Sequence, residues 1–245
     1  MKTGSSAIII GASSRIGTAL CEKWLQDDDI DNVIALSRQY LPARMPKQNS
    51  QIHYIQTDYD ESSITETCKK IQTLANTISR VCICNGILHN EDIWPEKRIE
   101  ELDINTLREV FTINSVTPII WVKALLPLVK GKDDCVISVF SARIGSIDDN
   151  RSGGWYSYRA SKAALNMLLK TAAIEYARRA ANVKFIAFHP GTTDTPLSKP
   201  FQRSVKKENL FTPEYVAEHL VNVMNTQTVD GECSFIDWEN KAIAW

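Results

Sequence analysis

The chain has 245 residues, of which 44% are hydrophobic and 23% are charged, and its formal net charge is −1. This composition predicts an ordinary soluble globular protein that buries a substantial core. The near-neutral charge provides no basic surface for nucleic acid or an anionic membrane. No unbroken apolar run approaches the roughly 18 residues that a membrane span requires. Neither nucleic acid nor a membrane is therefore expected as a partner.

Two further features bear on the compartment. The first residues lead directly into a short apolar strand, without the hydrophobic core or cleavage site of a signal peptide. Six cysteines lie mostly in apolar patterns, and Cys82 and Cys84 alternate with apolar residues at a spacing unlike the CxxC pairs of metal and redox sites. These observations predict a reduced, cytoplasmic protein without a metal site.

In chain order, short β-rich runs alternate with longer helical patterns. Strands are predicted over 7–10, 33–36, 52–55, 81–84, 135–139, 183–188 and 233–236, and helices over roughly 15–26, 61–78, 104–129, 156–180 and 213–225. Because the strands are hydrophobic on both faces, we expect an α/β fold, a doubly wound parallel sheet of about seven strands with helices on both faces. No linker or repeat interrupts the pattern, so residues 1–245 are expected to form a single Rossmann-type domain.

The first strand runs into a small-residue turn and then into a helix, an arrangement that predicts a phosphate site. Gly11 permits a tight turn, and Gly17 permits close packing of the helix on the strand. The helix N-terminus offers free N–H groups and its positive dipole end to a pyrophosphate. The turn residues expected to contact a nucleotide are Ser13, Ser14, Arg15 and Ile16.

The second strand ends at Ser37 and Arg38. An NAD site would carry Asp or Glu about 20 residues beyond the glycine turn, where it accepts a hydrogen bond from the ribose 2′-hydroxyl. A guanidinium instead suits a 2′-phosphate, so NADP(H) is preferred as cofactor and NAD(H) stays possible. Arg15 is a second candidate cation, and the alternative for Arg38 is a solvated surface charge.

Tyr158 and Lys162 stand four residues apart at the start of a predicted helix, and therefore on one helical face. A phenol ionises near pH ~10 in water, and a nearby ammonium lowers that pKa towards the working range. Ser141 follows the fifth predicted strand. Together a hydroxyl, a phenol and an ammonium could hold and protonate a carbonyl oxygen, which predicts transfer of hydride and proton between a nucleotide and a carbonyl or alcohol.

These residues, in this order and spacing, resemble the short-chain dehydrogenase/reductase superfamily almost end to end. The resemblance implies that Ser141, Tyr158 and Lys162 are the catalytic residues and that Asn114 supports Lys162 and a proton-relay water. It implies a further set of contacts to the cofactor. These are Asp58 at the adenine with Tyr59 beside it, Asn85 and Gly86 after the fourth strand, Pro190, Gly191, Thr193 and Thr195 near the nicotinamide, and again Asn114, Tyr158 and Lys162.

The sequence departs from the family pattern at two places. Ile10 and Arg15 replace the threonine and the middle glycine of the family's TGxxxGxG turn, and only the glycine of the NNAG segment is kept in register, as Gly86. The segment 153–156 and the C-terminal segment 235–245 also resemble the C-factor-like branch, some members of which are named for cell-to-cell signalling.

The resemblance implies an NADP(H)-dependent oxidoreductase acting on CH–OH and C=O groups of a small molecule, with Tyr158 as proton donor or acceptor. A non-catalytic nucleotide-binding or signalling protein on the same fold is the alternative. An isomerase or dehydratase using the same tyrosine is a third interpretation. The family also implies a homodimer or homotetramer that pairs helices 104–129 and 156–180 across a two-fold axis.

Several aromatic residues follow the strands that border the expected crevice. Trp94, Trp155, Phe201 and Phe211 could line an apolar substrate pocket, and core or interface packing is equally open for each. His189 is expected to pack beside the cofactor. Tyr156 is expected to pack or line the pocket rather than replace Tyr158, because it lies six residues from Lys162 and faces another direction.

Overall fold

The structure, a computed structural model, describes residues 4–39, 45–47 and 49–245. The prediction that the first residues lead directly into a strand concerns residues 1–3 in part, and these lie outside the described residues. The strands are β1 Ser5–Ile10, β2 Asn32–Ser37, β3 Ile52–Gln56, β4 Thr77–Ile83, β5 Cys135–Phe140, β6 Val183–His189, β7 Thr192–Thr193, β8 Leu210–Phe211 and β9 Cys233–Asp237. The α-helices are α1 Arg15–Trp24, α2 Glu61–Leu74, α3 Ile104–Phe111, α4 Thr117–Val129, α5 Tyr156–Arg179 and α6 Pro213–Thr226.

Seven strands form one sheet in the order β3-β2-β1-β4-β5-β6-β9, and every neighbouring pair is parallel. Successive residues of a strand point to opposite faces of the sheet. Accordingly Ile8 and Ile10 of β1 pack into a core with α2, α4 and α5, whereas Ala7 and Ile9 pack into a second core with α1 and α6. The predicted doubly wound parallel sheet with helices on both faces is confirmed.

The predicted helix over 61–78 is wrong at its end, and the predicted fourth strand begins too late. Helix α2 ends at Leu74, and β4 already starts at Thr77, which pairs with Ser5 of β1. The sequence of this junction is largely polar, so its hydrophobic pattern did not reveal that pairing with β1 extends the strand backwards.

The predicted helix over 104–129 contains a wide turn. Between α3 and α4, residues Thr112–Val116 form a single π turn that carries Asn114. Pro118 stands at the beginning of α4 and has no N–H, so it cannot donate to the carbonyl of Asn114 four residues earlier. The wide turn thus directly precedes a position that lacks an α-helical hydrogen bond, and π turns of this kind often occur at functional sites.

The same stretch, Ile104–Val129, is the one helix in the described ranges whose length and hydropathy would suit a membrane span. Its mean hydropathy reaches 1.4, although polar residues interrupt every apolar run within it. However, Trp121, Val122 and Leu125 on this stretch are fully buried in the protein's own core. Core helices of globular proteins meet the same criteria, so the observation is weak evidence for a membrane.

Candidate active site

A cavity of about 640 Å³ lies at the carboxyl ends of β1, β4, β5 and β6. This is the edge at which open parallel sheets bind ligands. The predicted site residues that line it are Ser13, Ser14, Arg15, Ile16, Asn85, Gly86, Ser141, Tyr158, Lys162, Pro190, Gly191, Thr193 and Thr195. The predicted residues outside its lining are Gly11, Gly17, Arg38, Asp58, Tyr59 and Asn114.

The glycine turn has the geometry expected from its sequence. Gly11 has a φ of 84°, and its N–H donates to the carbonyl of Leu36 over 2.9 Å. A Cβ atom at Gly17 would lie 2.6 Å from the carbonyl oxygen of Gly11, so only glycine fits this contact between helix and turn. The hydroxyl of Ser14 caps α1 by accepting from the N–H of Gly17 over 3.0 Å. The N-terminus of α1 therefore faces the cavity on a rigid turn.

Tyr59 lies against this turn, outside the lining of the cavity. Its phenol accepts from the N–H of Gly11 over 2.9 Å and donates to the carbonyl of Leu36 over 3.3 Å. The guanidinium of the exposed Arg38 lies 5.7 Å from the centre of the Tyr59 ring, within reach of a cation–π contact. One phenol thus contacts both the glycine turn and the arginine that was predicted to select the cofactor.

Asn114 lies buried behind Gly86. Its Oδ1 accepts from the N–H of Ile87 over 2.7 Å, and its Nδ2 donates to the carbonyl of Ile87 and to the hydroxyl of Ser161. A Cβ atom at Gly86 would lie 3.5 Å from both Asn114 Oδ1 and Lys162 Nζ. Asn114 therefore fastens the loop after β4 to α5, next to the Lys162 ammonium.

The predicted catalytic side chains come together on one wall of the cavity. The Lys162 ammonium lies 5.9 Å from the centre of the Tyr158 ring, and its Nζ donates to the carbonyl of Phe140 over 2.8 Å. The Ser141 hydroxyl donates to Oδ1 of Asn166 over 2.6 Å. Tyr158 and Lys162, one turn apart on α5, thus line the same cavity as Ser141, and Lys162 bonds to the residue just before Ser141.

Burial governs the protonation of this pair. It raises the pKa of Tyr158 to about 12 and lowers the pKa of Lys162 to about 7. The lowering of the phenol pKa that was predicted from the neighbouring ammonium is absent from this structure. The physical reason is that removal from water disfavours the charged form of both groups.

The start of α5 is held by a residue that the sequence analysis missed. Trp155, at the N-cap position, has a φ of 54° and offers no capping side chain. Instead the buried carboxylate of Glu96 accepts from the backbone N–H of Ser157 over 3.2 Å and also from its hydroxyl. The carbonyl of Glu96 accepts from the N–H of Trp155 over 2.5 Å. No pattern marks Glu96, because it lies in a polar loop far from α5 in sequence.

Aromatic rings form part of the cavity lining near Tyr158. Trp155 and Phe201 both line it, with ring centres 4.9 Å apart, and the Trp155 ring lies 6.3 Å from that of Tyr158. The half-exposed Trp94 packs on Phe201 at 5.2 Å. Phe211, by contrast, lies outside the lining and packs against Tyr215 and Trp238.

Three residues that line the cavity carry buried polar atoms without a partner in the described part of the chain. Asn85 Oδ1, His189 Nδ1 and Thr193 Oγ1 are buried and make no hydrogen bond. Burial lowers the pKa of His189 to about 3, so its ring is neutral near pH ~7. Buried polar groups are normally satisfied. These three unsatisfied atoms and the N-terminus of α1 mark the polar part of the cavity, which suits a ligand with amide, hydroxyl and phosphate groups.

The sequence matches the family model described as short chain dehydrogenase over residues 5–206. The chain belongs to the short-chain dehydrogenase/reductase superfamily. Membership makes it an oxidoreductase of the dehydrogenase/reductase type, and it confirms the resemblance that the motifs predicted.

Among curated relatives, benzil reductase ((S)-benzoin forming) of Bacillus cereus is 26% identical over 262 aligned residues, covering 94% of this chain and 98% of that protein. The C-signal protein of Myxococcus xanthus is 26% identical over 145 residues, covering 59% of this chain and 82% of that protein. Among solved structures, the NADPH-bound carbonyl reductase from chicken fatty liver has the same fold. Its TM-score is 0.84 at 21% identity, with coverage of 99% of this chain and 95% of that one.

Proposed function

We propose that this protein is an NADP(H)-dependent oxidoreductase that transfers hydride between the nicotinamide and a carbonyl or alcohol substrate, with Tyr158 as the proton donor or acceptor. The observation that carries the proposal is that Ser141, Tyr158 and Lys162 line the same cavity, with the Lys162 ammonium 5.9 Å from the centre of the Tyr158 ring. When bound, the cofactor supplies or accepts the hydride. Its nicotinamide would be held by Asn85, His189 and Thr193, whose buried polar atoms make no hydrogen bond within the described part of the chain.

Each catalytic side chain has a role that follows from its environment. In the reductive direction Tyr158 donates its proton to the carbonyl oxygen, and its raised pKa keeps the phenol protonated at neutral pH. Lys162 lies 5.9 Å from the ring, so its charge stabilises the phenolate that remains. Ser141 holds the carbonyl oxygen by a hydrogen bond.

The preference for NADP(H) is carried by the end of β2. Ser37 and Arg38 stand where an NAD site would place a carboxylate. The Arg38 guanidinium is exposed and rests over the Tyr59 ring beside the glycine turn, where a 2′-phosphate would need a cation. The binding of NADPH by the chicken carbonyl reductase, which shares the fold, supports the same cofactor here.

The walls of the cavity favour an uncharged substrate that carries an aromatic ring. The lining residues that the structure describes include no Asp or Glu, and their two basic side chains, Arg15 and Lys162, belong to the proposed cofactor and catalytic groups. Trp155 and Phe201 form an aromatic wall next to Tyr158, and flat rings pack well on such surfaces. The name of the Bacillus cereus relative, benzil reductase, points to the same class of substrate.

The test is oxidation of NADPH by the purified protein with two sets of carbonyl compounds. One set contains aryl ketones such as benzil, and the matched set contains small charged 2-oxo acids such as pyruvate. We expect turnover of the aryl ketones, and Tyr158→Phe is the blank for background oxidation. Turnover no faster than this blank with every compound would contradict the proposed activity, whereas preference for the 2-oxo acids would contradict only the substrate class.

The alternative of a non-catalytic signalling protein is supported by the similarity to the C-signal protein of Myxococcus xanthus. It predicts that the protein binds a nucleotide without turning over any carbonyl compound. It also predicts that Tyr158→Phe performs the cellular role as well as the unmodified protein. Catalysis predicts the opposite result in both experiments.

A further inference from the structure

Asn166 is a buried polar residue to which neither the motifs nor the proposed mechanism assigns a role. It lies on α5 one turn after Lys162 and two turns after Tyr158, so the three side chains share a helical face. Only 3% of its surface is exposed. Its Oδ1 accepts the hydroxyl proton of Ser141 over 2.6 Å. Asn166 is therefore in direct contact with the side chain that is proposed to hold the substrate oxygen.

The direction of this hydrogen bond matters for the reaction. A serine hydroxyl has one proton to donate. While Ser141 gives that proton to Asn166, its oxygen can only accept from another group, and a ketone oxygen has no proton to offer. In this arrangement Ser141 could accept from an alcohol but could not bind a carbonyl oxygen.

The NH₂ group of the same amide makes no hydrogen bond with the described residues. Its nitrogen, Asn166 Nδ2, is buried. A buried donor without a partner is unfavourable. The oxygen and the NH₂ group of an amide are nearly equal in size, so a half-turn about the last side-chain bond exchanges them without new space.

We propose that Asn166 is a positioning residue that sets the direction in which the Ser141 hydroxyl donates, and that its amide turns when a carbonyl substrate is bound. In the turned orientation Nδ2 donates to the oxygen of Ser141. The Ser141 proton is then free to bond to the carbonyl oxygen beside Tyr158. In the orientation of this structure Ser141 accepts from the alcohol instead. The inference rests on the proposed reductase activity, because it requires a carbonyl substrate.

The key variant is Asn166→Asp, which keeps the shape of the side chain and can still accept from Ser141 but has no N–H to donate. With an aryl ketone that the unmodified protein reduces, we expect kcat to fall about as far as in Ser141→Ala, by ~10²–10³ as for other lost donors to a reacting oxygen. Asn166→Leu should lose less, because it leaves the hydroxyl free to turn towards the substrate. Combined with Ser141→Ala, Asn166→Asp should add no further loss.

A purely structural hydrogen bond predicts the reverse order, with Asn166→Asp active and Asn166→Leu as slow as Ser141→Ala. Either of those two results alone would overturn the proposal, so a failure of one variant to fold leaves the other decisive. The assays extend to about pH 9, because a buried carboxyl that keeps its proton could still donate to Ser141. Full activity of Asn166→Asp at that pH counts against the proposal. Binding of NADPH, measured by fluorescence titration, should be unchanged in each variant.

A second measurement needs no turnover. Acetophenone labelled with ¹³C at its carbonyl is bound to the protein with NADP⁺, and its C=O stretch is recorded by infrared difference spectroscopy. We expect a lower stretching frequency with the unmodified protein than with Ser141→Ala or Asn166→Asp, because only the unmodified protein can donate a hydrogen bond to the ketone through Ser141. Equal frequencies in all three proteins would refute the proposal.

The two proposals fail in different ways. If the unmodified protein reduces no ketone, both the proposed function and this inference are wrong. If it reduces ketones and Asn166→Asp is equally active, only this inference is wrong.

Discussion

Nζ of Lys162 donates a 2.8 Å hydrogen bond to the carbonyl oxygen of Phe140, the last residue of β5. Ser141 follows Phe140 directly, and Tyr158 lies one turn before Lys162 on α5. The bond therefore fixes the position of the Tyr158 helix relative to Ser141. It also keeps the ammonium of Lys162, which is 3% exposed, away from solvent.

Replacement of Tyr158 by phenylalanine should abolish most of the turnover. The ring and its packing remain, but the proton donor is lost, so kcat should fall by ~10²–10⁴. The affinity for NADPH should change little, because the phenol oxygen is the only group removed. Steady-state kinetics with an aryl ketone and a fluorescence titration of NADPH measure the two quantities. Tyr156→Phe is the matched control on the same helix, and loss of activity in the control instead of in Tyr158→Phe would show that the wrong tyrosine was assigned.

Burial of Lys162 predicts a pH-dependent contribution to stability. Its pKa is lowered from 10.5 to about 7, so between these values the unfolded chain binds more protons than the folded protein. The contribution of Lys162 to the free energy of unfolding should therefore rise with pH across this window and be constant below it. Lys162→Met removes the titration. Urea unfolding of both proteins, without cofactor, should show the stability of the unmodified protein rising relative to the variant from about pH 7 to about pH 10. A pH-independent difference would mean that Lys162 has an ordinary pKa.

Arg38 should discriminate between the two nicotinamide cofactors. Arg38→Ala removes one charge-assisted contact to a 2′-phosphate, which should weaken binding of NADPH by ~1.5–3 kcal/mol. Binding of NADH should change little, since NADH has no phosphate at that position. Isothermal titration with both cofactors measures the difference. Arg178→Ala, an equal change of charge at an exposed position near the end of α5, is the control. An equal loss for both cofactors, or tighter binding of NADH by the unmodified protein, would argue against NADP(H) as the cofactor.

The contact between Glu96 and Ser157 should stabilise the start of the catalytic helix. Glu96→Gln replaces one accepting oxygen by an NH₂ group that cannot accept from Ser157, which should lower the free energy of unfolding by ~1–3 kcal/mol. Because both variants break the same contact, Glu96→Gln and Ser157→Ala should be less than additive when combined. Urea denaturation of the single and double variants provides this comparison. Glu100→Gln, at an exposed position four residues further along the chain, should leave the free energy of unfolding unchanged. Full additivity would mean that the two side chains act independently.

We expect the outer faces of α4 and α5 to pair with a second copy of the chain. Met167 and Ile174 on α5 are 65% and 49% exposed, and Val116, just before α4, is 47% exposed. These apolar side chains lie on the helices that the family resemblance assigned to a two-fold interface. Sedimentation equilibrium of the 27.6 kDa chain at micromolar concentration should show a dimer or tetramer, and Met167→Lys should shift it towards the monomer. Gln72→Lys, which adds the same charge on the exposed side of α2, should not. A monomer for the unmodified protein would contradict the expected interface.

The amino-acid sequence by itself determined the features that depend on local residue types and on the periodicity of helices and strands. Alternation of apolar strands with helical patterns predicted the parallel sheet, because each strand is hydrophobic on both faces. Gly11 and Gly17 predicted the turn, because Gly11 permits a tight turn and Gly17 permits close packing of the helix on the strand. The four-residue spacing of Tyr158 and Lys162 predicted a shared helical face, because an α-helix has 3.6 residues per turn.

The tertiary structure alone decided the contacts between segments that are distant in the chain. Glu96 reaches the start of α5, the Tyr59 phenol reaches Gly11, and Asn166 accepts from Ser141. No periodicity links the members of these pairs, since each depends on where folded elements meet. Tertiary structure also decided the direction in which the pKa of Tyr158 shifts. The sequence showed an ammonium near a phenol, but only the fold revealed that removal from water raises the pKa of Tyr158 and lowers that of Lys162.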